Sequence, residues 1–235
     1  MPHPLFSLGA RLALCASMVR PGVKLADIGT DHAYLPIWLA RQGMISRAIA
    51  ADVRLDPLRS AERNIRKYHV EDTVSARLSD GLSVIFSHEA DDIVMAGMGG
   101  ELMIRLIEAA PWLKNEEKRL VLQPMTSAED LRRSLEREGY AVLQEKAVEE
   151  DGHVYSVMQA MYDPAQAGGG PLYPYIGKLQ ADTEAARTYI AKCAARLSKK
   201  ADGMAISGQV QAAAQLRAVL HGLNALLDQS KGGSQ

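Results

Sequence analysis

Apolar and polar positions along the 235-residue chain follow two rhythms in turn. Short, nearly unbroken apolar runs at residues 23–28, 47–53, 74–78, 92–96 and 119–123 read as strands covered on both faces. Between them, residues 34–42, 57–68, 101–110 and 128–138 have helical spacing, and residues 5–19 read as an amphipathic first helix. Strands alternating with helices at this length predict an α/β fold built on a parallel sheet. Gly139 ends the last of these helices. Residues 141–148 and 154–161 then read as two more strands across the acidic turn Glu149-Glu150-Asp151-Gly152, which predicts an antiparallel hairpin at the sheet edge.

A third pattern follows the flexible stretch Pro164-Ala165-Gln166-Ala167-Gly168-Gly169-Gly170-Pro171. Leu179, Ala186, Ile190, Cys193 and Leu197 form one apolar seam, and Ile206, Val210, Ala213, Leu216, Leu220, Leu223 and Leu227 form another. Neither seam can be buried alone. Paired, and joined near Ala201-Asp202-Gly203, they predict an antiparallel helical hairpin of coiled-coil type. The expected organisation is therefore a sheet domain at 1–163, a linker at 164–171 and a helical domain at 172–235.

Charge adds a direction to this division. The chain as a whole carries −1, but residues 171–235 hold eight Lys or Arg against four Asp or Glu, leaving +4 there and −5 elsewhere. A basic hairpin suits a nucleic-acid partner, although a solvated helical face has the same appearance. Its outward cations are Lys178, Arg187, Lys192, Arg196, Lys199 and Lys200, and the last five are the candidate substrate contacts.

The remaining composition excludes more than it selects. No apolar span is long enough for a membrane helix, and Arg11 interrupts the first apolar stretch with no basic leader before it, so a cytoplasmic protein is expected. Cys15 and Cys193 stand apart without metal-ligand spacing, which predicts buried thiols and no metal site. There is no Gly-x-Ser-x-Gly elbow and no phosphate-binding loop with its Lys.

The chemistry concentrates where strands end. The first strand runs into Asp27-Ile28-Gly29-Thr30-Asp31-His32, and Asp52 closes the second at the distance of a ribose-binding carboxylate. A dinucleotide fingerprint needs three glycines to wrap a pyrophosphate, and only Gly29 is present. S-adenosylmethionine asks less of the turn: room beside Gly29, Asp27 and Asp31 near its ammonium, and Asp52 for the ribose. An ordinary strand-to-helix turn is the competing reading. Asp80, in Ser79-Asp80-Gly81-Leu82, can accept from an adenine amino group while Gly81 lets the backbone approach. The glycines of Ala96-Gly97-Met98-Gly99-Gly100 predict a flat or bulky group against that backbone. This turn lacks the Asp or Asn with prolines that holds an exocyclic amine in many amino-methylating enzymes. A ring nitrogen, with its lone pair already in plane, is the better nucleophile to expect. Catalysis then rests on in-line placement, with backbone carbonyls near Gly97 and Met98 facing the developing charge and His32 or Tyr34 seating the ring. The terminal antiparallel hairpin also suits a methyltransferase-type sheet better than a plain dinucleotide domain.

The stretches at 26–36, 79–82 and 96–100, together with Leu122-Gln123-Pro124 and Glu149-Glu150-Asp151-Gly152-His153-Val154-Tyr155, resemble the bacterial tRNA (adenine(22)-N(1))-methyltransferase family. That resemblance implies a Rossmann-like class I methyltransferase domain followed by a helical coiled-coil domain. It also implies transfer of a methyl group from S-adenosyl-L-methionine to N1 of an adenine in the D-loop region of tRNA. Cofactor contacts would come from Arg11, Asp27, Gly29, Asp31, Asp52, Asp80, Gly81 and the Gly97-Met98 turn, with the target base among His32, Tyr34 and Met98. Two positions depart from the family pattern: Met125 replaces a frequent Asn, and His153 a common Lys. The expected partner is tRNA, for a monomer without membrane or metal. Methyl transfer to a small molecule or a protein, and a non-catalytic nucleotide-sensing adaptor, are the alternatives.

Overall fold

In this computed structural model, which describes residues 4–166 and 168–229, strands and helices alternate through the first two thirds of the chain. The order is α1 (Ala10–Met18), β1 (Lys24–Ile28), α2 (Tyr34–Arg41), β2 (Arg47–Asp52), α3 (Leu55–Lys67), β3 (Val74–Leu78), β4 (Asp92–Gly99), α4 (Gly100–Glu108), β5 (Arg119–Thr126) and α5 (Ala128–Arg137). The hairpin β6 (Tyr140–Glu150) and β7 (His153–Tyr162) follows, then α6 (Tyr173–Ile176), α7 (Glu184–Ile206) and α8 (Val210–Gln229). The seven strands form one sheet in the order β3-β2-β1-β4-β5-β7-β6. Strands β1 to β5 pair in parallel, and β7 runs antiparallel to both β5 and β6. This is the Rossmann-like α/β sheet with the edge hairpin that the sequence predicts.

Alternation of side chains along the central strands builds a core on each face of the sheet. Ile93 and Met95 of β4 and Leu120 and Leu122 of β5 pack with Met103 and Ile107 of α4 and Leu131 of α5. Val94 and Val121, pointing the other way, join Leu25, Ile37, Leu39, Ile65 and Cys15. Both cysteines are free and buried. Strands β4 and β5 each run three residues past the expected ends, and their register shifts around Met98. These added residues form the floor of the site described below.

The helical hairpin turns later than the sequence suggests. Ala201, Asp202 and Gly203 lie inside α7, and the chain reverses at residues 207–209 instead. Two facts explain the difference. A single glycine in a helix costs only about 1 kcal/mol, less than the seam gains from burying Leu197 and Ala201 against Leu216 and Leu223. Gly208, with φ +80°, is the residue that accepts the left-handed stop. Leu179 belongs to this core but precedes α7, and α6, a single turn of four residues, is too short to leave a helical period in the sequence.

A buried arginine joins the helical hairpin to the sheet domain. Arg132 of α5 donates to Glu145 Oε1 of β6 (2.6 Å) and to Ser156 Oγ of β7 (3.2 Å). It also donates to the carbonyls of Pro174 (3.1 Å) and Tyr175 (3.0 Å) and to the Tyr189 hydroxyl of α7 (3.1 Å). Within the stretch read as a linker, the Gly169 N–H donates to Glu136 of α5 (2.9 Å), and Ala167 lies outside the described residues. Lys231, counted in the hairpin's charge, also lies outside them. Among the described residues no helix is long and apolar enough to cross a membrane, and no cluster of metal-ligating side chains occurs.

Candidate active site

The carboxyl ends of β1, β2 and β3 each present an aspartate. The turn after β1 is clamped to β2 because the N–H groups of Gly29 and Thr30 both donate to the Ala51 carbonyl (2.8 and 2.9 Å). Gly29 has φ +71°, a backbone state that a side chain resists. Asp27 is buried, and the Thr30 hydroxyl donates to its Oδ2 (2.6 Å). Burial, reinforced by the charge of Asp52 and opposed by the Thr30 bond, pushes the Asp27 carboxyl up to about 6. Asp52 is buried too, and its Oδ1 accepts from the Arg54 N–H (2.8 Å). Asp27 Oδ1 and Asp52 Oδ2 have no donor among the described residues, nor does the exposed Asp80 carboxylate. Beside Asp80, Ser79 donates to the Gly81 carbonyl (2.7 Å) and fixes the turn. Three acceptors thus stand at successive strand ends with oxygens open.

The turn after β4 meets the turn after β1. Met98 lies over Gly29, so that a β-carbon at Gly29 would overlap the Met98 methyl group. A residue that sequence reasoning missed holds this turn in place: Gln123 of β5, fully buried, accepts from the Gly97 N–H (2.9 Å) and from Arg11 Nη1 (2.8 Å). Its amide donates to the Pro124 carbonyl (3.1 Å). A polar residue closing the apolar run Leu120-Val121-Leu122 was the available signal. Arg11 itself is largely committed, since Glu150 accepts from both its backbone N–H (3.1 Å) and its Nε (3.2 Å). The expectation that three glycines here admit a ligand needs correcting. A β-carbon on Gly100 would strike the Ser127 carbonyl, and one on Gly99 would press on Thr126 (3.1 Å), so these two serve helix-to-loop packing. Gly97 differs in holding left-handed backbone, φ +78°, and a β-carbon there would press on the mobile end of Arg11 (3.3 Å) rather than on backbone.

The opening turn of α2 brings His32 and Tyr34 side by side, with ring centres 5.4 Å apart. Both are partly exposed, and Phe6 packs edge-on against Tyr34 at 4.9 Å. His32 and Ala33 hold left-handed backbone, with φ +62° and +56°, and Asn64 secures the turn through the His32 carbonyl (2.9 Å). Asp31 is exposed and sits 3.2 Å from His32 Nε2.

The five candidate cations on α7 do not act as one group. At 3.6 residues per turn, Arg196 and Lys200 share a stripe with Tyr189, flanked by Lys192 and Lys199, whereas Arg187 falls on the opposite side. Arg187 donates to the Ala181 carbonyl (3.2 Å) and so braces the start of its own helix. Arg196 pairs with Glu129 of α5.

Residues 8–158 match the family model of a methyltransferase domain. The tRNA (adenine(22)-N(1))-methyltransferase of Bacillus subtilis is 38% identical over 179 residues, which are 73% of this chain and 75% of that protein. The chain belongs to this methyltransferase family. Solved structures agree with the assignment. The crystal structure of the B. subtilis m1A22 tRNA methyltransferase TrmK superposes with a TM-score of 0.80 at 30% identity, covering 97% of this chain and 99% of that one. A Streptococcus pneumoniae protein, described as a putative tRNA (m1A22) methyltransferase in complex with S-adenosyl-L-methionine, gives 0.75 at 30% identity, with 92% and 98% covered. The three strand-end aspartates and the Gly97-Met98 turn lie at the carboxyl ends of the strands, the side on which open α/β sheets bind ligands.

Proposed function

We propose that this chain transfers the methyl group of S-adenosyl-L-methionine to N1 of adenine 22 in tRNA. The observation that carries this reading is the set of open acceptors on Asp27, Asp52 and Asp80, in the strand order of a family whose members are tRNA methyltransferases. The set fits a nucleoside bearing an ammonium group. Asp27 supplies a desolvated carboxylate for the positive end, Asp52 an open oxygen for ribose hydroxyls, and Asp80 an acceptor for an adenine amino group. The space beside Gly29 is entered most closely by the flexible Met98 side chain, and an unbranched thioether rotates aside readily. The bound cofactor supplies an electrophilic methyl group on a sulfonium.

The rest is positioning. Adenine N1 carries its lone pair in the ring plane, so no side chain has to remove a proton before attack. His32 and Tyr34 offer adjacent rings to seat the base. Gln123 holds the Gly97 N–H, which fixes the turn whose carbonyls face the charge that develops on the methylated ring. Arg11 acts on that turn through Gln123 as well as beside the cofactor, and Asp31 orients His32.

In this reading residues 1–163 form the catalytic domain, 164–171 the connection and 172–235 the tRNA-binding domain. The protein is a cytoplasmic monomer, with Lys192, Arg196, Lys199 and Lys200 gripping RNA phosphates. Arg187 joins them more weakly from the far side of α7. Because Arg132 is satisfied by groups on both sides of the connection, point variants test the helices better than truncation does.

The test is incubation of the protein with the cofactor and unmodified tRNA, followed by nucleoside analysis. N1-methyladenosine is expected, and Asp27→Asn should abolish it. Methylation of a protein or small molecule, with tRNA untouched, would contradict the proposal.

A further inference from the structure

A cavity of about 610 Å³ opens between the sheet and α7. Its floor is the end of β5, where Pro124 pairs with Met98 and Thr126 with Gly99, so the cavity lies one strand spacing from the turn that flanks the methyl-transfer site. Tyr155 of β7 forms one wall, with the Arg11 guanidinium 5.8 Å from its ring. The opposite wall is the α7 stripe: the Tyr189 ring, then Arg196 and Lys200. Lys200 makes no ion pair among the described residues. Arg196 is bridged to Glu129, in the first turn of α5, and the two side chains are 58% and 21% exposed.

We propose that this cavity receives the nucleotide next to the target adenine, and that Glu129 occupies Arg196 in place of that nucleotide's phosphate until RNA is seated. The proposal rests on the tRNA-methylation reading above. Its first support is position: a nucleotide adjacent to the one at the Gly97-Met98 turn is the part of an RNA strand that reaches a pocket one strand away. Its second is chemistry, because aromatic faces beside cations form the combination that holds unstacked bases and their backbone. A guanidinium binds carboxylate and phosphate with the same two-pronged geometry, so one can replace the other. The exposure of the pair supports the exchange, since a solvated ion pair gives up its partner at little cost.

The experiment measures tRNA affinity at several salt concentrations for the full-length protein and for Glu129→Gln, Arg196→Gln and the double variant. Calorimetry with S-adenosylmethionine serves as the check on folding. Glu129→Gln should bind tRNA about threefold more tightly. Arg196→Gln should bind about tenfold more weakly, with a log-log salt slope shallower by about one. The double variant should match Arg196→Gln, because Glu129 acts through Arg196. Unchanged or weakened binding by Glu129→Gln, or a Glu129 effect that survives in the double variant, would overturn the exchange while wild-type methylation of the same tRNA stands. Wild type that forms no N1-methyladenosine would overturn the activity reading, and the cavity's role with it.

Discussion

Two ion pairs stand where the helical hairpin meets the sheet domain, and they differ in nearly every respect. Arg132 and Glu145 have side chains fully removed from solvent and are surrounded by further acceptors from β7, α6 and α7. Arg196 and Glu129 meet at the rim of an open cavity, where water reaches both. A buried pair is held because neither charge can be left alone. An exposed pair is held weakly, and its partners are replaceable. The first sets where α7 stands relative to the sheet, and the second is free to exchange partners.

The largest effect should come from breaking the buried joint. Arg132→Ala leaves Glu145 without a cation and should cost about 3–5 kcal/mol, seen as a fall in melting temperature of about 10 °C. Replacing both partners, as Arg132→Met with Glu145→Leu, should recover the part of the loss that comes from the lone Glu145 charge and leave the part that comes from the Pro174 and Tyr175 carbonyls; a double variant as unstable as the single would show that those carbonyls, and not the lone charge, carry the loss.

Asp27 sharpens the comparison as a buried charge with no cation beside it. Its folded pKa is raised from 3.8 to about 6 by burial, so its favourable share of stability in the ligand-free protein is present below the unfolded value and is lost as pH rises through about 6. A positively charged ligand needs the ionised form, so cofactor affinity should fall as pH drops below about 6. Calorimetry between pH 5 and 7.5 checks this, and Asp27→Asn should bind at least about tenfold more weakly with that pH dependence gone. Flat affinity across the range would remove Asp27 from the cofactor site.

The smallest effect belongs to the exposed pair. Glu129→Gln should shift the melting temperature by less than about 4 °C, whatever it does to RNA binding. A loss as large as that of Arg132→Ala would make this pair structural as well.

The sequence made local periodicity legible, and with it all seven strands, their edge hairpin and the order of the three aspartates, because each is written in a short stretch of neighbours. Contacts between distant stretches were not visible in that way. Arg132 looks like any polar residue on an amphipathic helix until Glu145, 13 positions away, and Tyr189, 57 away, close around it. Gln123 reads in the sequence as one polar residue closing an apolar run, and its hold on Gly97 and Arg11 needs β4, β5 and α1 assembled. Gly99 and Gly100 carry a turn signature identical to that of Gly97, yet their cause is the α5 loop packed behind them. The cations of α7 read as one group because charge is additive in a sequence, whereas helical geometry sends Arg187 and Arg196 to different sides.

The most direct test of the central claim is reverse transcription across unmodified tRNA after incubation with the protein and S-adenosylmethionine, since a methyl group on N1 blocks base pairing and stops the polymerase. A stop at adenine 22 that requires the cofactor and disappears with Asp27→Asn is the predicted result. Read-through at adenine 22, with methyl groups incorporated elsewhere or not at all, would contradict it.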